Sequence, residues 1–233
     1  MEYTKDSKIF EENITDKEAE RRRQDELRQA MRQIREIALT TPGFIDRLLE
    51  VPATSDRTFA NYLKLLGITS SELGSRILDI GSGETQRFAR EASLSGREVI
   101  SLNPLLRDSK WRKLVQTDSS EPPQSVAAVA QNLPFTNNSF DTVVSVFAIP
   151  MYLEKRAYKQ SLQEIYRVLK PGGRAILFPV IFPDDVNMCK SILEESGISY
   201  ASESVHTVTL NGLDILPLKE FNVENLTRLI IKK

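Results

Sequence analysis

The stretch Ile77–Arg90, ILDIGSGETQRFAR, decides the fold class of this chain. It begins as a short apolar strand, passes through Gly81 and Gly83, and continues as a polar segment of helical character. Because glycine has no Cβ, these two residues let the backbone turn sharply and approach a ligand closely. The helix behind the turn presents unpaired N–H groups. A strand, glycine turn and helix in this order is typical of a site for a nucleotide-containing cofactor.

Apolar strand patterns and helical patterns alternate through the rest of the chain from Ser75 onward. The predicted strands are RILDI, REVISL, a weaker SVAAVA, DTVVSVFAI, RAILFPVI and two late strands in HTVTLN and TRLIIKK. The predicted helices are Thr85–Ser95, KRAYKQSLQEIYRVL, which Lys170–Gly173 stops, and DDVNMCKSILEESG. This alternation indicates βαβ units and a mostly parallel sheet covered on both sides. The predicted fold is therefore α/β, a doubly wound, Rossmann-like sheet.

Residues 1–70 are predicted to form a helical N-terminal arm or lid, which precedes a cofactor-binding domain at 71–233. The helical patterns in this arm are a long helix beginning at Asp16, then FIDRLLEV, then RTFANYLKLLGI with Ser55 or Asp56 as its cap. Its apolar side chains either form a lid over a small acceptor or only cover the sheet: Phe44, Leu48, Phe59 and Tyr62.

Composition gives no global signal for a nucleic-acid or membrane partner. The formal net charge is −1 and the sequence pI is about 6.0, so no basic surface for an anionic partner is expected. The N-terminus has no apolar signal core, and no apolar run approaches membrane-spanning length, so we expect a cytoplasmic protein without a membrane span. The single cysteine, Cys189, has no partner for a disulfide or a zinc site, and no metal is expected.

The glycine turn argues against a nicotinamide-dependent oxidoreductase. The dinucleotide fingerprint G-x-G-x-x-G requires a third glycine at position 86, where this chain has Gln86. Glu84 adds a negative charge where a pyrophosphate would have to approach. Taken alone, the remaining pair of glycines is equally typical of a purely structural tight turn.

Further blocks of sequence accompany the turn, and together they resemble a known family. ILDIGSG, VISLNP, AVAQNLPFTNNSFDTVVSVFAI and LQEIYRVLKPGGRAILF occur in this order over about residues 75–180. They are similar to the class I S-adenosylmethionine-dependent methyltransferases, and LPFTNNSFDTVVS followed by EIYRVLKPGG is the most specific part. The resemblance implies S-adenosylmethionine as cofactor and a small-molecule methyl acceptor. It does not extend to the N-terminal arm and does not identify the acceptor.

The resemblance also implies which residues contact the cofactor. The family's acid at the end of the first strand, here Asp79, helps order the methionine amino group, and the glycine turn makes room for methionine and ribose. Asn103 ends the second strand and faces the ribose hydroxyls, the pair before LPF contacts the adenine ring, and Val146 and Phe147 lie by the methyl-transfer channel. For Phe147, core packing is an equal alternative. The implied set is Asp79, Gly81, Ser82, Gly83, Asn103, Pro104, Ala130, Gln131, Val146 and Phe147.

Three positions depart from the family pattern. Asn103 replaces the acid that binds ribose; its amide can still accept from one hydroxyl and donate to another, but it loses the charge-assisted component, a loss of about 1 kcal/mol. Val129 stands where an acid often precedes the adenine contact, and Thr85 occupies the third small position of the glycine turn. Two interpretations follow. The favoured one is a working methyltransferase with a neutral cofactor pocket, and the other is a methyltransferase-like scaffold that binds a partner without turnover.

No catalytic residue is assigned from the sequence. Many relatives carry a histidine pair after the fourth strand, where this chain has Ile149–Leu153, and the single histidine, His206, is more typical of a surface or packing position. This favours an acceptor that is already nucleophilic, or catalysis of a direct in-line displacement by positioning alone. The segment FAIPMY also lacks the Asn-Pro-Pro-aromatic pattern of nucleic-acid methyltransferases, so a nucleic-acid substrate is disfavoured.

Overall fold

The fold is built on a seven-stranded sheet, and the predicted site residues lie in its strands and in the turns that follow them. The computed structural model describes residues 58–83, 86–107, 124–210, 213–215 and 225–233. The strands are β1 (Arg76–Ile80), β2 (Glu98–Leu102), β3 (Gln124–Val126), β4 (Phe140–Val146), β5 (Leu169–Val180), β6 (Ser199–Val205), β7 (Val208–Leu210), β8 (Leu213–Ile215) and β9 (Leu226–Lys232). The α-helices are α1 (Phe59–Leu66), α2 (Arg87–Ser93), α3 (Tyr158–Val168) and α4 (Pro183–Glu195). Short 3₁₀ turns lie at Ser70–Leu73, Pro104–Arg107 and Lys155–Ala157.

The strand order of the sheet is β3-β2-β1-β4-β5-β9-β6, and β7 and β8 pair separately. β1 to β5 run parallel, whereas β9 is antiparallel to both of its neighbours. The chain order reverses between β1 and β4, and in doubly wound sheets the ligand crevice lies beyond the carboxyl ends of the strands at that point. The predicted mostly parallel α/β fold is confirmed.

Two apolar cores cover the two faces of the sheet, because successive residues of a strand point to opposite sides. In β1, Ile77 belongs to the core under α1 and α2, and Leu78 belongs to the core under α3 and α4. Both side chains are fully buried. This double burial is the reason that the parallel strands read as short continuous apolar runs. None of the helices in the described ranges is long and apolar enough to cross a membrane.

Several predicted elements occur with altered bounds. RILDI and REVISL form β1 and β2, but β3 covers only the first residues of the weak third pattern. HTVTLN contains β7, which does not join the main sheet, and TRLIIKK forms β9. Sequence analysis missed β6, the edge strand. Its residues SYASESV are mostly polar and partly or fully exposed, so they carry no apolar strand signal.

Only part of the predicted N-terminal arm lies within the described residues. The helix from Asp16, the segment FIDRLLEV and the side chains of Phe44 and Leu48 lie outside the described residues. The following helix is α1, but neither of the two expected residues caps it. Thr58 is its N-cap, because the Thr58 side chain accepts a hydrogen bond from the Asn61 N–H at 3.1 Å. Assigning residues 1–70 to a helical arm stays a prediction.

The segment Lys170–Gly173 ends α3 as predicted, but it is also part of β5. The register of β4 against β5 shifts here, from Phe140 opposite Leu169 to Thr142 opposite Arg174. A Cβ placed on Gly173 would lie 2.8 Å from the Lys170 carbonyl oxygen and 2.9 Å from that of Asp141. Glycine is therefore required by the close approach of the two backbones.

Asp141 joins the amino ends of three strands. Its carboxylate accepts hydrogen bonds from the Ser75 N–H (3.2 Å) and hydroxyl (3.0 Å), from the Arg76 N–H (2.8 Å) and from Lys170 Nζ (2.7 Å). Partial burial alone would raise the pKa of Asp141, but the bonds from Lys170, Arg76 and Ser75 outweigh it and lower the pKa to about 2. The folded chain thus stabilises the ionised form of Asp141 more than the protonated form.

Replacing Asp141 by Asn is expected to lower the free energy of unfolding at pH 7 by roughly 2 kcal/mol, because hydrogen bonds to an ionised acceptor are lost. The pKa is depressed in the folded state, so the stabilisation is complete above the unfolded value of 3.8. It is lost as the pH falls from there to about 2. Urea unfolding at a series of pH values measures both effects, as the difference between wild type and variant.

Glu154→Gln is the matched control, because the Glu154 side chain is 67% exposed and its ion pair with Arg156 lies in water. We expect no measurable change in stability for this variant at any pH in the series. If Asp141→Asn behaves in the same way, Asp141 does not hold the strand ends together.

Candidate functional site

The turn after β1 requires glycine for two reasons: its backbone conformation and its close packing on a neighbouring loop. Gly81 and Gly83 have φ angles of +79° and +72°, in the left-handed region that favours glycine. The Gly81 N–H donates to the Leu102 carbonyl at 2.8 Å, which holds the turn against the end of β2. A Cβ built on Gly81 would lie 2.3 Å from the Cβ of Ala148, so the turn also packs directly on the loop after β4. Residues Glu84 and Thr85 lie outside the described ranges.

Asn103 follows β2 and fastens the glycine turn from the other side. Its backbone N–H donates to the Val126 carbonyl at 3.1 Å, and its side-chain Nδ2 donates to the Gly83 carbonyl at 3.3 Å. A carboxylate has no donor and could not make the second bond. The Asn103 amide therefore gives the glycine turn a hydrogen bond that an acid at this position could not donate. Pro104 is exposed and begins the adjoining 3₁₀ turn.

Ala130 and Gln131 lie in a tight turn that a bridge between Val129 and Asn132 closes. Ala130 is 4% exposed and belongs to the same apolar core as Ile80 of β1 and Leu102 of β2. The Gln131 side-chain Oε1 is buried and has no hydrogen-bond partner within the described ranges. A buried acceptor of this kind is costly unless something donates to it.

An Arg–Glu pair on α3 holds the segment that follows this turn. The Arg167 guanidinium donates to the carbonyls of Leu133 (3.0 Å) and Phe135 (2.7 Å) and to the Glu164 carboxylate (2.7 Å). Glu164 in turn accepts from the Leu133 N–H at 2.8 Å. Sequence analysis recognised LPF and EIYR as blocks but did not assign these residues. Their i,i+3 spacing on a helix was the available signal.

At the end of β4, Val146 and Phe147 are 1% and 5% exposed. The Phe147 ring packs edge-on against Phe178, with ring centroids 6.4 Å apart, and the Phe147 N–H donates to the Phe178 carbonyl at 2.7 Å. Its φ of +55° is rare for an aromatic residue, and such strained backbones cluster at functional sites. The ring packs in the core, and contact of this residue with a cofactor stays a prediction.

Asp79 is fully buried just before the turn. Its carboxylate accepts a hydrogen bond from the hydroxyl of Tyr62, which lies 3.2 Å from Oδ1 and 3.4 Å from Oδ2. Sequence analysis placed Tyr62 in an apolar lid or cover and missed this polar contact. Tyr62 and Asp79 are 17 residues apart in elements of different type, so no local pattern could connect them.

The structure brings the predicted residues together along one edge of the sheet. Contacts between backbones and small side chains join the glycine turn to the end of β2 and to the loop after β4, and Ala130 packs on the same strands. The described residues contain no group of three His, Cys, Asp or Glu side chains that could hold a metal. His206 is exposed between β6 and β7, at a distance along the chain from these loops. Asp79 is thus the ionisable residue of the predicted set, which is otherwise polar at the glycine turn and apolar at the end of β4.

Comparison with known proteins shows which proteins this chain is similar to. Residues 78–177 match the family model described as a methyltransferase domain. The chain is 31% identical over 122 residues to the ubiquinone/menaquinone biosynthesis C-methyltransferase UbiE of Hahella chejuensis, covering 51% of this chain and 48% of that protein. It is also 31% identical over 133 residues to the UbiE protein of Pseudomonas paraeruginosa, covering 55% and 50%. The chain thus spans about half the length of the curated relatives it matches.

Solved structures agree on the fold. One neighbour is a putative S-adenosylmethionine-dependent methyltransferase of Methanococcus maripaludis, with a TM-score of 0.53, 18% identity, and coverage of 88% of this chain and 92% of that one. Another is a complex between the Haloferax volcanii Trm112 methyltransferase activator and the putative methyltransferase, with a TM-score of 0.55, 16% identity, and coverage of 76% and 91%. Residues 78–177 therefore match a methyltransferase domain, and the described residues share the fold of S-adenosylmethionine-dependent methyltransferases, whose cofactor is S-adenosylmethionine.

The residues present fit that cofactor. The side-chain oxygens of Ser82, in the glycine turn, and of Gln131, in the turn after β3, are both buried without a partner in the described part of the chain. A ligand with hydroxyl and amine groups, such as ribose, adenine and the methionine end provide, would satisfy both. The side chain of Asn103 already bonds to the Gly83 carbonyl.

Gly81→Ala tests how strictly the turn is constrained. We expect the free energy of unfolding to fall by roughly 3 kcal/mol, since the new Cβ overlaps Ala148 and φ is positive. Gly197→Ala is the matched control, because Gly197 has φ +65° but nothing within 4 Å of its Cβ position. It is expected to cost about 1 kcal/mol from backbone strain alone. Urea unfolding of both variants measures the difference.

The double variant Gly81→Ala/Ala148→Gly removes the overlapping methyl group and should recover the excess over the control. Equal losses for Gly81→Ala and Gly197→Ala would show that the turn does not pack closely on the loop after β4.

Proposed function

We propose that this protein transfers a methyl group from S-adenosylmethionine to a small apolar acceptor by direct in-line displacement. The observation that carries the proposal is the edge at the sheet reversal, where a glycine turn with neutral polar groups meets an apolar cluster. The methyltransferase family of residues 78–177 supports it.

The polar side of this edge is suited to the cofactor. Asp79 would face the methionine amino group, Asn103 and the turn would face the ribose, and Gln131 would face the adenine ring. When bound, S-adenosylmethionine supplies a methyl group that its sulfonium charge already activates. The chain has to orient this group and exclude water from it.

The apolar side is suited to the acceptor. Phe147 and Ile181, which follow β4 and β5, belong to the core under α1 and α2, and Met151 and Phe182 pack against it. These side chains carry no titratable group. An acceptor that contacts them must bring its own nucleophilic atom, and the chain contributes alignment rather than a base.

The curated relatives support an apolar acceptor of this kind. They are named as C-methyltransferases of ubiquinone and menaquinone biosynthesis, and a carbon nucleophile needs no strong base when the acceptor ring is electron-rich. The methyltransferase-like scaffold without turnover is the alternative, and the replaced acid at Asn103 is its best support.

Calorimetric titration of the full chain distinguishes the two functions. We expect micromolar binding of S-adenosylmethionine and of S-adenosylhomocysteine, because both carry the amino, hydroxyl and adenine groups that Asp79, Asn103 and Gln131 can bond, and no binding of NADH. Both ligands should also raise the unfolding temperature at concentrations well above Kd. A labelled methyl donor, offered with electron-rich apolar aromatics and with polar amines as acceptors, then tests the acceptor class.

Absence of heat and of any thermal shift at millimolar S-adenosylmethionine would contradict the enzyme and favour the scaffold. Binding together with transfer only to polar amines would retain the methyltransferase and reject the apolar acceptor.

A further inference from the structure

A row of polar side chains crosses the sheet beneath α1 and α2. Asp79 of β1 is the register partner of Ser101 of β2, and Ser101 is the register partner of Ser125 of β3. Register partners in parallel strands point to the same face, so the three side chains are consecutive on one face. Val144 of β4, which pairs with Asp79, belongs to the apolar core on that face. We call Asp79, Ser101 and Ser125 the polar row.

Contacts from the two covering helices meet both ends of the polar row. At one end, the Tyr62 hydroxyl from α1 donates to Asp79. At the other, the Ser125 hydroxyl donates to Gln86 Oε1 at 2.7 Å. Gln86 is the N-cap of α2 and has a positive φ of +51°. Hydrogen bonds at the two ends of the polar row therefore reach Tyr62 and Gln86, whereas the buried Ser101 hydroxyl between them has no partner in the described residues and Ser125 is exposed.

Burying the polar row lowers the stability of the fold, so these side chains are better explained by a role in the site than by packing. Asp79, Ser101 and Gln86 are all 0% exposed, and Tyr62 is 3% exposed. Polar groups removed from water destabilise a fold unless they are hydrogen-bonded. A plain apolar row would cover the same face at less cost.

Tyr62 is itself held rigidly. Its ring stacks on Phe88 of α2, with centroids 4.2 Å apart and planes 15° apart, and Phe59 stacks on the same Phe88 ring at 5.7 Å. Its hydroxyl lies almost equally far from the two carboxylate oxygens of Asp79, at 3.2 and 3.4 Å. A donor placed in this way restricts rotation of the carboxylate about its last torsion. The Tyr62 hydroxyl, which α1 supplies, is thus one contact that orients the Asp79 carboxylate.

We propose that Tyr62 is a positioning residue for the cofactor: its hydroxyl holds the Asp79 carboxylate in the orientation that receives the ammonium group of the methionine end. The inference rests on the proposed function, because it assigns a role to Tyr62 within the same cofactor site. The inference predicts that Tyr62 contributes to binding of the methionine end of the cofactor and not to binding of the adenosine end.

Tyr62→Phe tests the role, because it removes the hydroxyl and keeps the ring that stacks on Phe88. Calorimetry would compare S-adenosylhomocysteine with 5′-methylthioadenosine, which has the adenine and ribose but no amino-acid end. We expect the Kd of S-adenosylhomocysteine to rise about tenfold, the effect of losing one hydrogen bond to a charged group. The Kd of 5′-methylthioadenosine should stay within about twofold of the wild type, since it makes no contact with Asp79.

Tyr166→Phe is the matched control, since Tyr166 lies on α3 with Lys233 over its ring at 4.9 Å and serves the opposite face. It should leave both Kd values unchanged. In Asp79→Asn, the additional Tyr62→Phe change should cost less than it does in the wild type, because two residues that act through one contact are not additive.

Equal weakening of both ligands by Tyr62→Phe would overturn the inference, since Tyr62 would then serve only the general packing of the pocket. An unchanged Kd for S-adenosylhomocysteine would overturn it as well. A wild-type chain that binds neither ligand contradicts the proposed function and removes the inference with it. A wild-type chain that binds both ligands, with no selective loss in the variant, rejects the inference alone.

Discussion

The close approach of Gly81 to Ala148 is the constraint on which the site depends. It brings the loop after β1 against the loop after β4, on the two strands between which the sheet order reverses. A side chain at position 81 would push these loops apart at the edge where we propose that the cofactor binds. Because the Gly81 N–H also bonds to the end of β2, the ends of three neighbouring strands are fixed by one residue without a Cβ.

Amide side chains make structural hydrogen bonds at this edge, and at Asn103 the amide stands where the family resemblance implies an acid. Asn103 donates to the glycine turn, and Gln86 accepts from β3 while its backbone caps α2. A neutral group needs less compensation when it is buried than a carboxylate does. Asn103, one of the three positions that depart from the family pattern, therefore has a structural role, and Asp79 is the buried acid of the polar row.

The most recognisable blocks of the sequence owe their residues to the scaffold rather than to chemistry. Asp141 ties the amino ends of β1, β4 and β5 together, and Arg167 with Glu164 clamps the segment that follows the Gln131 turn. All three lie outside the cofactor edge. These structural roles explain why the blocks LPF, SFDTVV and EIYRVLKPGG identify the family resemblance but do not indicate the acceptor.

The sequence by itself determined the strand, glycine turn and helix in the stretch 77–90 and the mostly parallel sheet, and it predicts a site at the edge that carries the glycine turn. These follow from local signals, because hydrophobic period and glycine position act over a few residues. Only the tertiary structure decided the edge strand β6, the bond from Asn103 to Gly83 and the bond from Tyr62 to Asp79. β6 carries a polar surface pattern, and the two bonds join residues that are 20 and 17 positions apart. Such pairs become neighbours only when packing brings separate elements together, and no local pattern records that distance.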